Sequence, residues 1–268
     1  MKNILEAKNL VKEYSQTQGF FSRTKNIIRA LSQVSISIEK GKTLAVVGES
    51  GSGKSTLAKS LIKLIEVDDG SIYFEGVHLD SLTSAELKST RRNIQMVFQD
   101  PYASLNPRMK IKDILEEPLI IHNIDLPSGR QKKIKKMIIR VGLGEDDLKK
   151  YPHEFSGGQR QRIGIARALI LSPKLVICDE PVSALDVSVQ AQIIQLLKSL
   201  QKEFELTYLF ITHDLRIVRH IADRVFVMKE GKLMEQGKTD IIFNSPKTAY
   251  TKELLASIPG NRKLKRNK

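Results

Sequence analysis

The stretch Gly48-Glu49-Ser50-Gly51-Ser52-Gly53-Lys54-Ser55 fits the pattern G-x-x-x-x-G-K-[ST], and no other feature of this chain restricts its fold as tightly. The pattern has meaning only between a strand and a helix. Here the apolar run Leu44-Ala45-Val46-Val47 precedes it, and Thr56 to Ile65 reads as a helix after it. In that setting the glycines let main-chain N–H groups converge on an anion, and the helix start adds positive potential. Lys54 brings a point charge to the β- and γ-phosphates of a nucleotide, and the Ser55 hydroxyl can ligate Mg2+.

Further apolar strands follow at Leu175-Val176-Ile177-Cys178, Tyr208-Leu209-Phe210-Ile211 and Val225-Phe226-Val227-Met228. Between the first two, Val189, Ile193, Leu196, Leu197 and Leu200 recur at helical spacing. Continuous apolar strands separated by helices predict a parallel sheet covered on both faces. The middle of the chain differs. From about Pro101 to Phe155 no strand is legible. Ile111, Leu115 and Leu119 mark one helix, and Ile134, Met137, Ile138 and Val141 mark another. Ile4 to Tyr14, Val34 to Ile38 and Ile72 to Gly76 read as antiparallel strands at an edge.

The strand Leu175–Cys178 ends in two carboxylates, Asp179 and Glu180. Successive strand residues face opposite ways, so the two acids need not share a task. Asp179 suits the Mg2+ shell, and Glu180 suits orienting and deprotonating an attacking water. Cys178 is a small hydrophobe within the strand. A second glycine-rich helix start lies at Phe155-Ser156-Gly157-Gly158-Gln159, a further anion-gripping end about a hundred residues after Lys54. Gln99, the run Ser183-Ala184-Leu185-Asp186, and His213 in Ile211-Thr212-His213-Asp214 fall in order around these motifs.

With all of these in this order, the chain resembles the ATP-binding-cassette family over nearly its whole length. The resemblance implies an α/β fold: a P-loop NTPase parallel-sheet core, an antiparallel β edge subdomain and an inserted α-helical subdomain. The expected organisation is a single domain. Residues 1–99 and 159–243 form the core with its N-terminal antiparallel strands, 100–158 the helical part, and 244–268 a short extension with a basic tail. ATP and Mg2+ are the expected cofactors. The nucleotide-holding set is Gly48, Ser50, Gly51, Ser52, Gly53, Lys54, Ser55 and Thr56, with Tyr14 resembling the aromatic that stacks on adenine. Gln99 resembles the residue that touches Mg2+ and the water. Ser156, Gly157, Gly158 and Gln159 resemble the signature motif, with Phe155 where leucine is usual. Asp186 resembles the dimer-contact aspartate, and His213 the switch histidine at the γ-phosphate. In that family two cassettes sandwich two ATP molecules, each signature facing the phosphate loop of the other cassette.

A narrower set is similar to the dipeptide/oligopeptide/nickel importer cassettes, and within them to the second ATP-binding subunits of bacterial dipeptide permeases. It comprises Leu44 to Gly51, Ser104-Leu105-Asn106-Pro107-Arg108, Ile114-Leu115-Glu116-Glu117-Pro118-Leu119, Tyr151-Pro152-His153 and Asp179 to Gln192. Tyr250-Thr251-Lys252-Glu253-Leu254-Leu255 fits that group's C-terminal motif, with Thr248-Ala249 where His-Pro is usual. The resemblance implies a second, different cassette subunit and two transmembrane permease subunits as partners. A periplasmic or extracellular binding protein acts indirectly, and the place is the cytoplasmic face of the cell membrane. Short peptides come first as cargo, with nickel or another small solute as alternatives. No cysteine follows Cys178, so no iron–sulfur cluster is expected.

The net charge of +14 calls for an acidic partner and keeps one competing class in view, a soluble cassette ATPase acting on nucleic acid. Against it, the spacing between Lys54 and Ser156 holds no heptads, and one chain carries one cassette. Nucleic acid is therefore not an expected partner. The basic runs Arg130 to Lys136 and Arg262 to Lys268 read first as a solvated helix face and a solvated tail. No apolar run approaches the roughly 18 residues of a spanning helix. The N-terminus lacks the apolar core of a signal peptide, so a peripheral protein is expected.

Overall fold

The computed structural model describes residues 2–17 and 25–258. The basic run Arg262 to Lys268 lies outside the described residues. In chain order the first elements are β1 (Asn3–Thr17), β2 (Lys25–Glu39), β3 (Thr43–Val47), α1 (Lys54–Leu61), β4 (Asp69–Phe74) and β5 (Val77–His78). Then come α2 (Ser84–Arg91), β6 (Ile94–Val97), α3 (Pro101–Ser104), α4 (Ile111–Ile121), α5 (Pro127–Arg140) and α6 (Gly157–Leu169). The remainder is β7 (Leu175–Asp179), α7 (Val187–Phe204), β8 (Thr207–Thr212), α8 (Leu215–Ile221), β9 (Arg224–Lys229), β10 (Lys232–Lys238), α9 (Thr239–Asn244) and α10 (Ala249–Ala256).

The chain divides into two compact units, one of residues up to Leu82 and from Leu209 onward, the other Thr83–Tyr208. In the first, the early segments read as edge strands form an antiparallel sheet, in the order β2-β1-β4-β5. Its buried face carries Leu5, Leu10, Leu31, Val34, Ile38, Ile72 and Phe74. The same unit pairs β3 parallel to β9, with β10 antiparallel on β9. All five residues of β3 are buried, the mark of a strand covered on both faces. Ala45 and Val47 of β3 share one cluster with Val225, Val227, Leu215, Val218, Ile242, Phe243, Tyr250 and Leu255. That cluster seats α8, α9 and α10 on the strand leading into the glycine-rich loop.

The helix after that loop differs in extent from the expected Thr56 to Ile65. It starts at Lys54, directly after Gly53 turns the chain at φ 97°. It ends at Leu61, because Lys63 adopts φ 56° and the Leu64 N–H returns to the Lys59 carbonyl at 2.9 Å.

In the second unit β6 pairs parallel with β7. Residues 98–174 contain no strand, in keeping with the helical middle read from the sequence. Ile111, Ile114, Leu115 and Leu119 of α4 and Ile134, Met137 and Ile138 of α5 are buried, the faces that the apolar spacing marks. Two arginines of α6 tie in the flanking segments. Arg162 donates to the Val141 carbonyl at 2.7 Å, and Arg167 donates to the Ser104 carbonyl. Among the described residues no helix is long and apolar enough to cross a membrane.

Candidate functional site

In the first unit β3 delivers the chain to Gly48, where a side chain has no room. A Cβ there would lie 2.1 Å from the carbonyl oxygen of Met228, and φ is 154°. At Gly53 a Cβ would lie 2.3 Å from the carbonyl oxygen of Ala30. Main chain from β9 and β2 therefore walls the loop, and glycine is needed for close backbone approach as well as for conformation. The Gly231 N–H, in the β9–β10 turn, donates to the Ser52 carbonyl at 3.0 Å.

Lys54 is only 4% exposed. Its ammonium donates to the carbonyls of Gly48 at 2.9 Å and Glu49 at 2.6 Å, and to the Ser52 hydroxyl at 3.3 Å. Ser52 is buried, Ser50 and Gly51 are exposed, and Ser55 and Thr56 lie half-buried on the first turn of α1. No side chain caps that helix start. A cation fixed by carbonyls beside an uncapped helix N-terminus has the charge and the free N–H donors that suit a phosphate.

Tyr14 is 39% exposed on β1. Lys12 sits with its ammonium 5.7 Å from the Tyr14 ring centroid and bonds Asp68 at 2.8 Å. Asp68 also accepts the Glu13 N–H at 2.6 Å, and the two bonds hold its carboxyl below the usual carboxylate range. One acid thus anchors the strand that carries Tyr14. His213 is exposed in the link between β8 and α8. Its neighbour Asp214 caps α8 through the Arg216 N–H at 2.9 Å and grips the Arg216 guanidinium at 2.7 to 3.1 Å.

In the second unit Asp179 closes β7 and is 4% exposed. Glu180 follows in the left-handed region, φ 45°, a conformation that costs a non-glycine residue on the order of 1 kcal/mol or more. Ser183 stabilises the turn by donating to the Glu180 carbonyl through its N–H at 3.3 Å and its hydroxyl at 3.1 Å. The Gln99 amide donates to the Glu180 carboxylate at 3.2 Å. Two residues far apart in sequence thus meet at the strand ends, an amide orienting a carboxylate that can accept a proton from water. Cys178 is buried, and burial pushes its thiol far up, which suits a packing role.

Ser156 is the N-cap of α6, and Gln159 completes a reciprocal box. The Ser156 hydroxyl accepts the Gln159 N–H at 3.4 Å, and the Gln159 side chain accepts the Ser156 N–H at 2.9 Å. The spacing S-x-x-Q before an apolar run carries that signal in the sequence. A Cβ on Gly158 would lie 2.5 Å from Cγ1 of Val189, and one on Gly157 would touch Leu185 at 3.4 Å. These glycines let α6 approach the start of α7. Asp186 caps that start, accepting the Val189 N–H at 2.9 Å and the Ser188 hydroxyl at 2.7 Å. Sequence reasoning missed this capping task, although an aspartate just before a helical run is its usual sign. It also missed Arg160, buried with its guanidinium 3.4 Å from the Tyr102 ring centroid.

Residues 31–183, which hold both glycine-rich helix starts and the carboxylate-ended strand, match the family described as ABC transporter. The chain belongs to that family and is an ATPase. It is 51% identical over 98% of its length to the oligopeptide transport ATP-binding protein AppF of Bacillus subtilis, covering 80% of that protein. It is 49% identical over 96% of its length to the dipeptide transport ATP-binding protein DppF of Escherichia coli, covering 76% of it. Among solved structures it is similar to the ATP-binding cassette MJ0796, a dimer in a post-hydrolysis state bound to ADP and phosphate. The TM-score is 0.77 and the identity 32%, over 88% of this chain and 98% of that one.

Proposed function

We propose that this chain is the ATP-hydrolysing subunit of an importer for dipeptides or oligopeptides. The observation that carries the hydrolytic part is Glu180, held in a left-handed turn at the end of β7 with its carboxylate bonded to Gln99. The cargo rests on similarity to peptide-transport subunits along nearly the full chain.

In this reading Lys54 leaves its loop carbonyls for the β- and γ-phosphates, and Gly48 to Thr56 cradle them. Tyr14 offers its ring to the base. Glu180 takes the proton of the attacking water, Gln99 orients Glu180, and His213 meets the γ-phosphate. The Ser55 hydroxyl and the Asp179 carboxylate are hard oxygen donors, which suit Mg2+. Bound by them, the ion would neutralise charge on the phosphates. Ser156 to Gln159 and Asp186 face the nucleotide and the subunit of a second cassette, a different chain. Two permease subunits and, through them, an extracytoplasmic binding protein complete the assembly, with this chain peripheral on the cytoplasmic face.

Glu180→Gln keeps the shape and loses the proton acceptor. ATP binding should remain, and turnover should fall by about 10²–10⁴-fold, roughly 3–5 kcal/mol of barrier. Hydrolysis at the wild-type rate would remove Glu180 from the role of base. In the assembled transporter, hydrolysis should rise with short peptides and their binding protein. Stimulation by nickel instead would overturn the cargo.

A further inference from the structure

The motif Tyr250-Thr251-Lys252-Glu253-Leu254-Leu255 has no task in the reaction described above. In the structure it forms most of α10, whose N-cap is Thr248. Glu235 of β10 accepts the N–H groups of Lys247 at 2.9 Å and Thr248 at 3.0 Å, and the Thr248 hydroxyl at 3.1 Å. The Thr248 hydroxyl in turn accepts the Thr251 N–H at 3.1 Å. Tyr250, 6% exposed, lies in the same apolar cluster as Ala45 and Val47, the residues of β3 that lead into the phosphate loop. The Lys229 ammonium stands 4.6 Å from its ring centroid.

The phenol reaches the loop itself. Its oxygen accepts the N–H of Glu49 at 3.3 Å. The carbonyl of the same Glu49 accepts the Lys54 ammonium at 2.6 Å. One loop residue is therefore held from one side by α10 and tied on the other to the lysine that meets phosphate. In the proposed reaction Lys54 exchanges its loop carbonyls for phosphate oxygens when nucleotide enters, whereas the bond from Glu49 to Tyr250 involves no group that phosphate replaces.

We propose that Tyr250 is a positioning residue for the phosphate loop, its hydroxyl fixing the Glu49 peptide so that the Gly48–Gly53 turn keeps its shape while Lys54 changes partners. The C-terminal helix is thereby part of the nucleotide-binding apparatus. The inference rests on the loop as the ATP site, a point that Lys54→Ala tests separately through loss of ATP binding.

The test compares two variants of the full chain by calorimetric titration with ATP, by steady-state hydrolysis and by thermal melting. Tyr250→Phe keeps the ring and removes only the acceptor. It should weaken ATP binding and raise KM by about three- to tenfold, with kcat within twofold and the melting midpoint near wild type. Leu255→Ala trims the same helix within the same cluster and leaves the Tyr250 hydroxyl in place. It should lower the melting midpoint by several degrees and leave ATP affinity within twofold. Wild-type affinity in Tyr250→Phe would overturn the proposal. So would an equal loss of affinity in Leu255→Ala, which would show that docking of the helix matters and the hydroxyl does not.

Discussion

Two glycine-rich segments, Gly48–Ser55 and Ser156–Gln159, each open a helix suited to holding phosphate, yet glycine is there for different reasons. In the first, Gly48 and Gly53 have positive φ, and a Cβ at either would strike a main-chain carbonyl, of Met228 or Ala30. In the second, neither Gly157 nor Gly158 has positive φ, and their neighbours are side chains, Leu185 and Val189. The helix starts differ too. α1 has no side-chain cap, and the loop's cation is held by carbonyls that phosphate can replace. α6 carries its own cap, the Ser156–Gln159 box, so a ligand at that end competes with an existing bond. The same residue type thus builds a fixed backbone cradle in one place and a close helix approach in the other.

The comparison is broken most sharply by adding one methyl group to each segment. Gly48→Ala forces both an unfavourable φ and a clash with backbone that cannot be trimmed, on the order of 4 kcal/mol. ATP binding, followed by titration, should weaken at least about 100-fold, and no side-chain change at position 228 should restore it. Gly158→Ala presses on one methyl of Val189 and should cost about 1–3 kcal/mol in urea unfolding. Combining it with Val189→Ala should recover most of that loss. Without rescue, the glycine would be required for something other than packing.

A smaller effect separates the surroundings of the two segments by pH. The side of the loop reached by α10 depends on Glu235, whereas the box at Ser156 has no ionisable member. Burial pushes the Glu235 carboxyl up, but the bonds from Thr248 and Lys247 outweigh it and hold the group below its ordinary value. A depressed carboxyl contributes stability that is present above its unfolded value of about 4.3 and lost as pH falls through the folded one. The stability gap between wild type and Glu235→Gln should therefore be widest near pH 6 and shrink as pH falls below about 4. A gap that is constant over that range would mean the bonds are made equally well by a neutral group.

Much of this was legible from local pattern. The strand–loop–helix around Lys54, the two acids ending β7 and the apolar faces of α4 and α5 are each set by neighbours within a few residues, which a sequence displays directly. β6 was not legible, because the polar Gln95 interrupts Ile94–Val97, whereas the strands that the sequence displays are unbroken apolar runs. The helix after the loop starts and ends earlier than its apolar pattern indicates, because its ends depend on the conformations of Gly53 and Lys63.

What the sequence by itself determined is the chemical inventory: a lysine in a glycine-rich turn, two carboxylates at a strand end, and a second serine–glycine helix start. Those depend on residue type and spacing, which folding does not alter. Only the tertiary structure decided which partner each group has. It set the Gln99 amide on Glu180, the Tyr250 hydroxyl on Glu49, the Met228 and Ala30 carbonyls against the loop glycines, and Val189 against Gly158. Each of these joins segments distant in the chain, and such pairings are fixed by the packing of strands and helices around a shared core.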